Sequence, residues 1–230
     1  MVTYVQEQHI AILLETRTND LTRLKSELQT HTICYHNNVE IGGRRGQGVA
    51  VFLHNSFEGL VKLWKVSELY QAVWLHINES VFGVQGTVLL GAVYINPQSS
   101  TRSDNDISVM FSHLQNDISE AQNESQHLIV LGDFNARLDD SPDQFPEGHI
   151  SMLLRFPELG TTRVGQYKYR ANTAGRCLKN IALETPLILT TGRGKGDSGQ
   201  PTFFGYNPPF SPSRTKHILM SNALFSAAKT

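Results

Sequence analysis

Apolar runs of four to eight residues recur along the chain, at 10–14, 32–35, 48–53, 60–66, 72–77, 87–94, 128–131 and 187–190. Several are rich in Val and Ile and are bounded by Gly, Asn or Pro, the signature of β-strands between turns. Two segments have a helical period instead. In 104–121, Ile107, Met110, Phe111, Leu114 and Ile118 fall three and four residues apart behind the acidic start Asp104 and Asp106. In 172–183, Asn172 can cap the first turn, and Leu178, Ile181 and Ala182 share one side. Segments 139–148 and 192–200 read as loops by their Pro, Gly and Asp content. No internal repeat is visible. Many strands with few helices predict an α/β (α+β) protein with a two-layer sheet core and helices packed outside.

The length of 230 residues, 40% of them hydrophobic, fits one domain over 1–230 and excludes collagenous and wholly disordered chains. No apolar run approaches the length needed to cross a bilayer, so no membrane partner is expected. Two cysteines, Cys34 and Cys177, can neither build a disulfide framework nor supply zinc-type spacing. The expected setting is therefore reducing and intracellular, nuclear or cytoplasmic. The net charge of -1 conceals an asymmetry: from Gly160 onward ten Lys or Arg stand against Glu184 and Asp197 alone. A basic C-terminal third suits a polyanion such as nucleic acid, because clustered cations release counterions from phosphates. These cations are dispersed, so the charge favours nucleic-acid contact only slightly over the alternative, mutual neutralisation of the two halves within one fold.

Three strand ends carry candidate chemistry. Residues 128–135 read LIVLGDFN, an apolar strand that ends in Gly132 and presents Asp133 and Asn135 two residues apart. In extended backbone that spacing sends both polar groups to one side and Phe134 to the other. A carboxylate and a carboxamide emerging together suit a hard cation, a polarised water or a phosphate, although Gly, Asp and Asn also collect at plain turns. Residues 10–16, IAILLET, deliver Glu15 to a second strand end. Residues 89–97, LLGAVYINP, deliver Tyr94, whose phenol can donate to a phosphate oxygen. Two further motifs do not survive inspection. Residues 196–201, GDSGQP, look like a serine-protease segment but have no histidine partner motif, and 192–196, GRGKG, lacks the Ser or Thr of a phosphate-binding P-loop.

Taken in order, LLET at 13–16, GQGVAVF at 46–52, GAVYINP at 91–97 and LIVLGDFNARL at 128–138 resemble the endonuclease/exonuclease/phosphatase superfamily. So do NTAGRCL at 172–178, LILTTGR at 187–193, PTFF at 201–204 and SRTKHILMS at 213–221. Within it the order is similar to the apurinic-type endonuclease domain of non-LTR (LINE-like) retrotransposons. The resemblance implies a four-layer α/β sandwich with two packed central β-sheets and outer helices, and Mg²⁺-dependent hydrolysis of DNA phosphodiesters. It makes Glu15 the metal ligand, Tyr94 the contact to the scissile phosphate, and Asp133 and Asn135 the pair that positions water and phosphate. Basic residues Arg193, Lys195, Arg214 and Lys216 become candidate DNA contacts.

The chain also departs from that pattern. The family's opening strand with its catalytic Asn and its closing Ser-Asp-His strand are not found between Met1 and Thr230, so the resemblance implies a domain truncated at both ends. Where the family has an aspartate that orients the catalytic histidine, the chain has Lys216. Impaired catalysis is therefore expected; the alternative is a catalytically inactive remnant or domesticated nucleic-acid-binding module. A fragment of a longer reading frame is a third possibility. Lys216, having only donors, suits a phosphate and not an imidazolium.

Overall fold

The computed structural model describes residues 5–16, 20–37, 40–41, 44–45, 48–97, 103–139, 170–192 and 215–227. The chain forms two compact units, residues 1–93 and 94–230.

In the first unit, β1 (Ile10–Leu14), β2 (His31–Asn37) and β5 (Val49–His54) form an antiparallel sheet in the order β1-β5-β2. Central β5 is buried from Val49 to Leu53, as a strand with sheet neighbours on both sides must be. The register runs from Ile10 opposite Leu53 to Leu14 opposite Val49, which fixes where β1 ends. Strand β2 has a bulge between Ile33 and Tyr35, at Cys34. Helix α1 (Thr22–Glu27) precedes β2, and the flanking Leu21 and Leu28 join Val5, Ala11, Ala50 and Phe52 in one cluster. A small ladder, β3 (Glu40–Ile41) with β4 (Arg44–Arg45), interrupts the run from β2 to β5. A meander follows: β6 (Val61–Ser67), β7 (Ala72–Ile77) and β8 (Val88–Tyr94), with the short α2 (Glu79–Phe82) between the last two. Buried Trp74 of β7 lies over Gly91 of β8, where a Cβ would fall 2.8 Å from the indole.

The second unit begins with α3 (Asp104–Glu124), whose first turn is closed by a capping box between Ser103 and Asp106. Its predicted apolar positions Ile107, Met110, Phe111, Leu114 and Ile118 are all buried. Strands β9 (His127–Asp133), β10 (Leu187–Leu189) and β11 (Lys216–Ser221) pair antiparallel in the order β10-β11-β9. Helix α4 (Thr173–Glu184) precedes β10 and packs on α3, and α5 (Asn222–Ala227) follows β11. Among the described residues, no helix is long and apolar enough to cross a membrane.

The fold is the expected mixed α/β arrangement of antiparallel sheets with flanking helices. The sequence pattern ends the 128–131 strand too early, because β9 runs on to Asp133 through Gly132. Periodicity also overlooks β11. Its buried side carries His217, Leu219 and Ser221, two of them polar, so hydropathy does not announce it. The helices α1, α2 and α5, of six residues or fewer, are too short for a periodic signal. Of the two expected loops, 140–148 and 193–200 lie outside the described residues.

Candidate active site at the end of strand β9

Asp133 is the last residue of β9 and sits directly opposite Lys216 in the ladder. Its Oδ2 lies 3.3 Å from the Lys216 ammonium, and its Oδ1 accepts the backbone N–H of Asn135 at 3.0 Å. The Asp133 side chain is 18% exposed and that of Lys216 is 56% exposed, so the pair is wet on one side only. The Asp133 carbonyl accepts the N–H of Ile95, and the N–H of Phe134 donates to the Thr215 carbonyl. Fully buried Phe134 then anchors the turn.

The reading of Asp133 and Asn135 as neighbours on one face of an extended strand is corrected here. The Asp133 carboxylate captures the Asn135 N–H in an Asx turn, and Asn135 takes a left-handed φ of 47°. Its carboxamide turns to donate to the Ile95 carbonyl at 2.7 Å. Ile95 directly follows Tyr94, so the chain after β8 meets the Asp133–Asn135 turn through two hydrogen bonds. Tyr94 itself is only 5% exposed.

Two residues of this region carried no site signal in the sequence. His217, 2% exposed beside Phe134, contacts the Ala136 carbonyl through Nε2 at 2.8 Å and the Thr191 hydroxyl through Nδ1 at 3.2 Å. A carbonyl only accepts, which assigns Nε2 as the protonated nitrogen and leaves Nδ1 free to accept from Thr191. Asn172, picked out as a helix cap, also bonds the backbone of the Asn135 turn. Neither role follows from residue type, because both depend on which strands and helices meet.

In the first unit, Glu15 follows β1, is exposed, and adopts a left-handed φ of 55°. The next residue, Thr16, donates its N–H to the Gly48 carbonyl, and the Gly48 N–H donates to Oε1 of Gln71, both at 3.2 Å. Gln71 is buried and also left-handed at 48°; a shallow cleft lined by Tyr35, Gly48, Ser67, Glu68 and Gln71 opens beside it. Glu15, Gln71 and Asn135 are the non-glycine residues with positive φ among the described residues. Such strain collects where a fold over-determines a functional position. Two of the three were singled out from sequence alone.

Arg193, Lys195 and Arg214 lie outside the described residues. Among the described residues, no three His, Cys, Asp or Glu side chains gather as a cation site, and Asp133 already faces an ammonium. No step is assigned to a resident Mg²⁺.

Comparison with known proteins adds three findings. The profile of the Endonuclease/Exonuclease/phosphatase family matches residues 1–229. Solved structures with a similar fold include a 3′–5′ exonuclease from Neisseria meningitidis, at 16% identity and a TM-score of 0.58 over 96% of this chain and 78% of that one. The same Neisseria enzyme is also solved bound to a product DNA hairpin, where it is described as a 3′ phosphatase, with the same identity, TM-score and coverage. A mannosyl-6-phosphatase from Bacteroides thetaiotaomicron shares the fold at 13% identity and a TM-score of 0.54, over 96% of this chain and 74% of that one. No curated protein sequence matches significantly.

Proposed function

Since the chain belongs to the endonuclease/exonuclease/phosphatase family, we propose that it is a DNA-directed endonuclease-like domain of retrotransposon origin in which DNA binding outlasts turnover. The order of GAVYINP, GDFNAR and SRTKH supports the retrotransposon branch. The observation that carries the functional reading is the Lys216–Asp133 pair.

A carboxylate that must orient water for attack on a phosphorus works by offering an unspent lone pair to a proton of that water. Here Oδ1 is engaged by the Asn135 N–H and Oδ2 faces the ammonium. Lys216 competes with water for Asp133, which lowers the carboxylate's value as an acceptor. The same ammonium is more than half exposed, and it can attract a phosphate oxygen. One substitution thus favours binding and disfavours hydrolysis. The basic C-terminal third supports a polyanionic partner, and a relative of this fold has been solved on DNA.

The test is a gel-shift titration on duplex DNA alongside nicking of supercoiled plasmid with Mg²⁺, using Asp133→Ala as control. Retarded DNA with nicking close to that of the control is expected. Rapid nicking abolished by Asp133→Ala would overturn the proposal, as would no DNA binding at low salt.

A further inference from the structure

The Asn135 turn is held from outside β9 by one side chain. Asn172 Nδ2 donates to the Asn135 carbonyl at 2.8 Å, while Asn172 Oδ1 accepts the N–H of Arg137 at 2.9 Å and the N–H of Gly175 at 2.8 Å. The backbone N–H of Asn172 returns a bond to the Arg137 carbonyl at 3.3 Å. The approach is so close that a Cβ on Gly175 would lie 1.9 Å from the Arg137 oxygen. Glycine is obligatory there for space.

We infer that Asn172 is a positioning residue for Asn135, a clamp that couples the start of α4 to the strained turn. The argument turns on what a cap alone requires. Capping α4 needs one acceptor aimed at Gly175, which Ser, Thr or Asp also provides. Asn172 adds a donor, and that donor goes to Asn135, the residue with φ of 47°. Asparagine enters the left-handed region more readily than most residues, and its surroundings decide whether it stays there. Three groups hold it: the Asp133 carboxylate on its N–H, the Ile95 carbonyl on its carboxamide, and Asn172 on its carbonyl. The first two lie at the strand end itself. The third ties the turn's carbonyl to a helix cap 37 residues further along.

The inference rests on Asn135 facing the phosphate, and the experiment separates the two ideas. Asn172→Ser keeps a neutral cap but is too short to serve Asn135 and Arg137 together; Asn172→Asp keeps both acceptor bonds and loses the donor. Hydrogen exchange at the Asn135 N–H, held by Asp133, and the NMR shift of its side-chain amide, held by Ile95, report whether the turn loosens when the clamp on its carbonyl is lost. Duplex-DNA affinity of Asn172→Ser reports its consequence, and thermal melting checks the fold. With melting near that of the parent, exchange at Asn135 is expected to quicken about tenfold in both variants, the loss of roughly one hydrogen bond, and affinity to fall several-fold. Unchanged exchange and an unmoved amide shift in Asn172→Asp would overturn the clamp. Faster exchange with unchanged affinity would leave the clamp standing and overturn the role of Asn135 at the phosphate.

Discussion

The ends of β9 and β1 are held in different ways. At β9, Asp133 and Asn135 are tied by side chain, backbone and cross-strand charge at once: Lys216, Ile95, Thr215 and Asn172 each contribute a bond. At β1, Glu15 is exposed, and the structure fixes its neighbourhood by a relay from Thr16 to the Gly48 carbonyl and from the Gly48 N–H to Gln71. Both ends use a left-handed residue, so strain is common to them. The groups that hold the strain differ: a carboxylate, a carbonyl and a carboxamide act at β9, and a glycine–glutamine relay acts at β1. At β9 the carboxylate takes the Asn135 N–H on one oxygen and faces the Lys216 ammonium with the other.

The largest expected effect contrasts two glycines. Gly175→Ala places a methyl 1.9 Å from the Arg137 backbone oxygen, whereas Gly91→Ala meets the side chain of buried Trp74 at 2.8 Å. Urea unfolding should show a loss of about 3 kcal/mol or more for the former and about 1–2 kcal/mol for the latter. The reverse order would break the claim that the backbone contact at Gly175 is the tighter of the two. Next comes Gln71→Ala, which leaves the buried Gly48 N–H unpartnered and should cost about 1–2 kcal/mol. Gln71→Glu, which keeps the acceptor, should recover part of that loss. If both variants are equally unstable, the relay to Gly48 is not what holds the β1 end.

Lys216→Met should change stability by less than about 1 kcal/mol, because the ammonium is largely exposed and screened. It should nevertheless reduce the salt dependence of DNA binding by about one phosphate contact. An unchanged salt slope would mean that Lys216 serves Asp133 alone. The smallest effect concerns Cys34, whose thiol is pushed up by burial at the β2 bulge. The folded state then holds this proton more tightly than the unfolded one. Its contribution to stability is complete below the ordinary thiol value and is lost as pH rises above it. Cys34→Ala should remove only that alkaline decline, and an identical alkaline slope in the variant would show that the thiol ionises equally in both states.

Hydropathy made the fold legible where a strand is apolar on both faces, as in β5 and β8, or a helix is long, as in α3. It missed β11 because His217 and Ser221 fill buried positions by hydrogen bonding, which leaves no apolar alternation to read. At the candidate site, Asp133, Asn135 and Tyr94 were singled out by type and spacing. Their conformation was not legible, since the Asx turn overrides the extended spacing. Lys216 was recognisable as a substitution in a familiar segment, but only the β9–β11 register shows that it faces Asp133. Asn172 looked like a cap and is one; its second bond needed the third dimension.

The most direct test of the Lys216–Asp133 account is the affinity of the whole chain for a DNA duplex at low salt with chelator present, compared among the parent, Asp133→Ala and Lys216→Asp. The account expects Asp133→Ala to bind more tightly than the parent, because it removes the carboxylate that competes for the ammonium, and Lys216→Asp to bind about tenfold or more weakly, because it replaces attraction with repulsion at a phosphate. Equal or tighter binding by Lys216→Asp would contradict it.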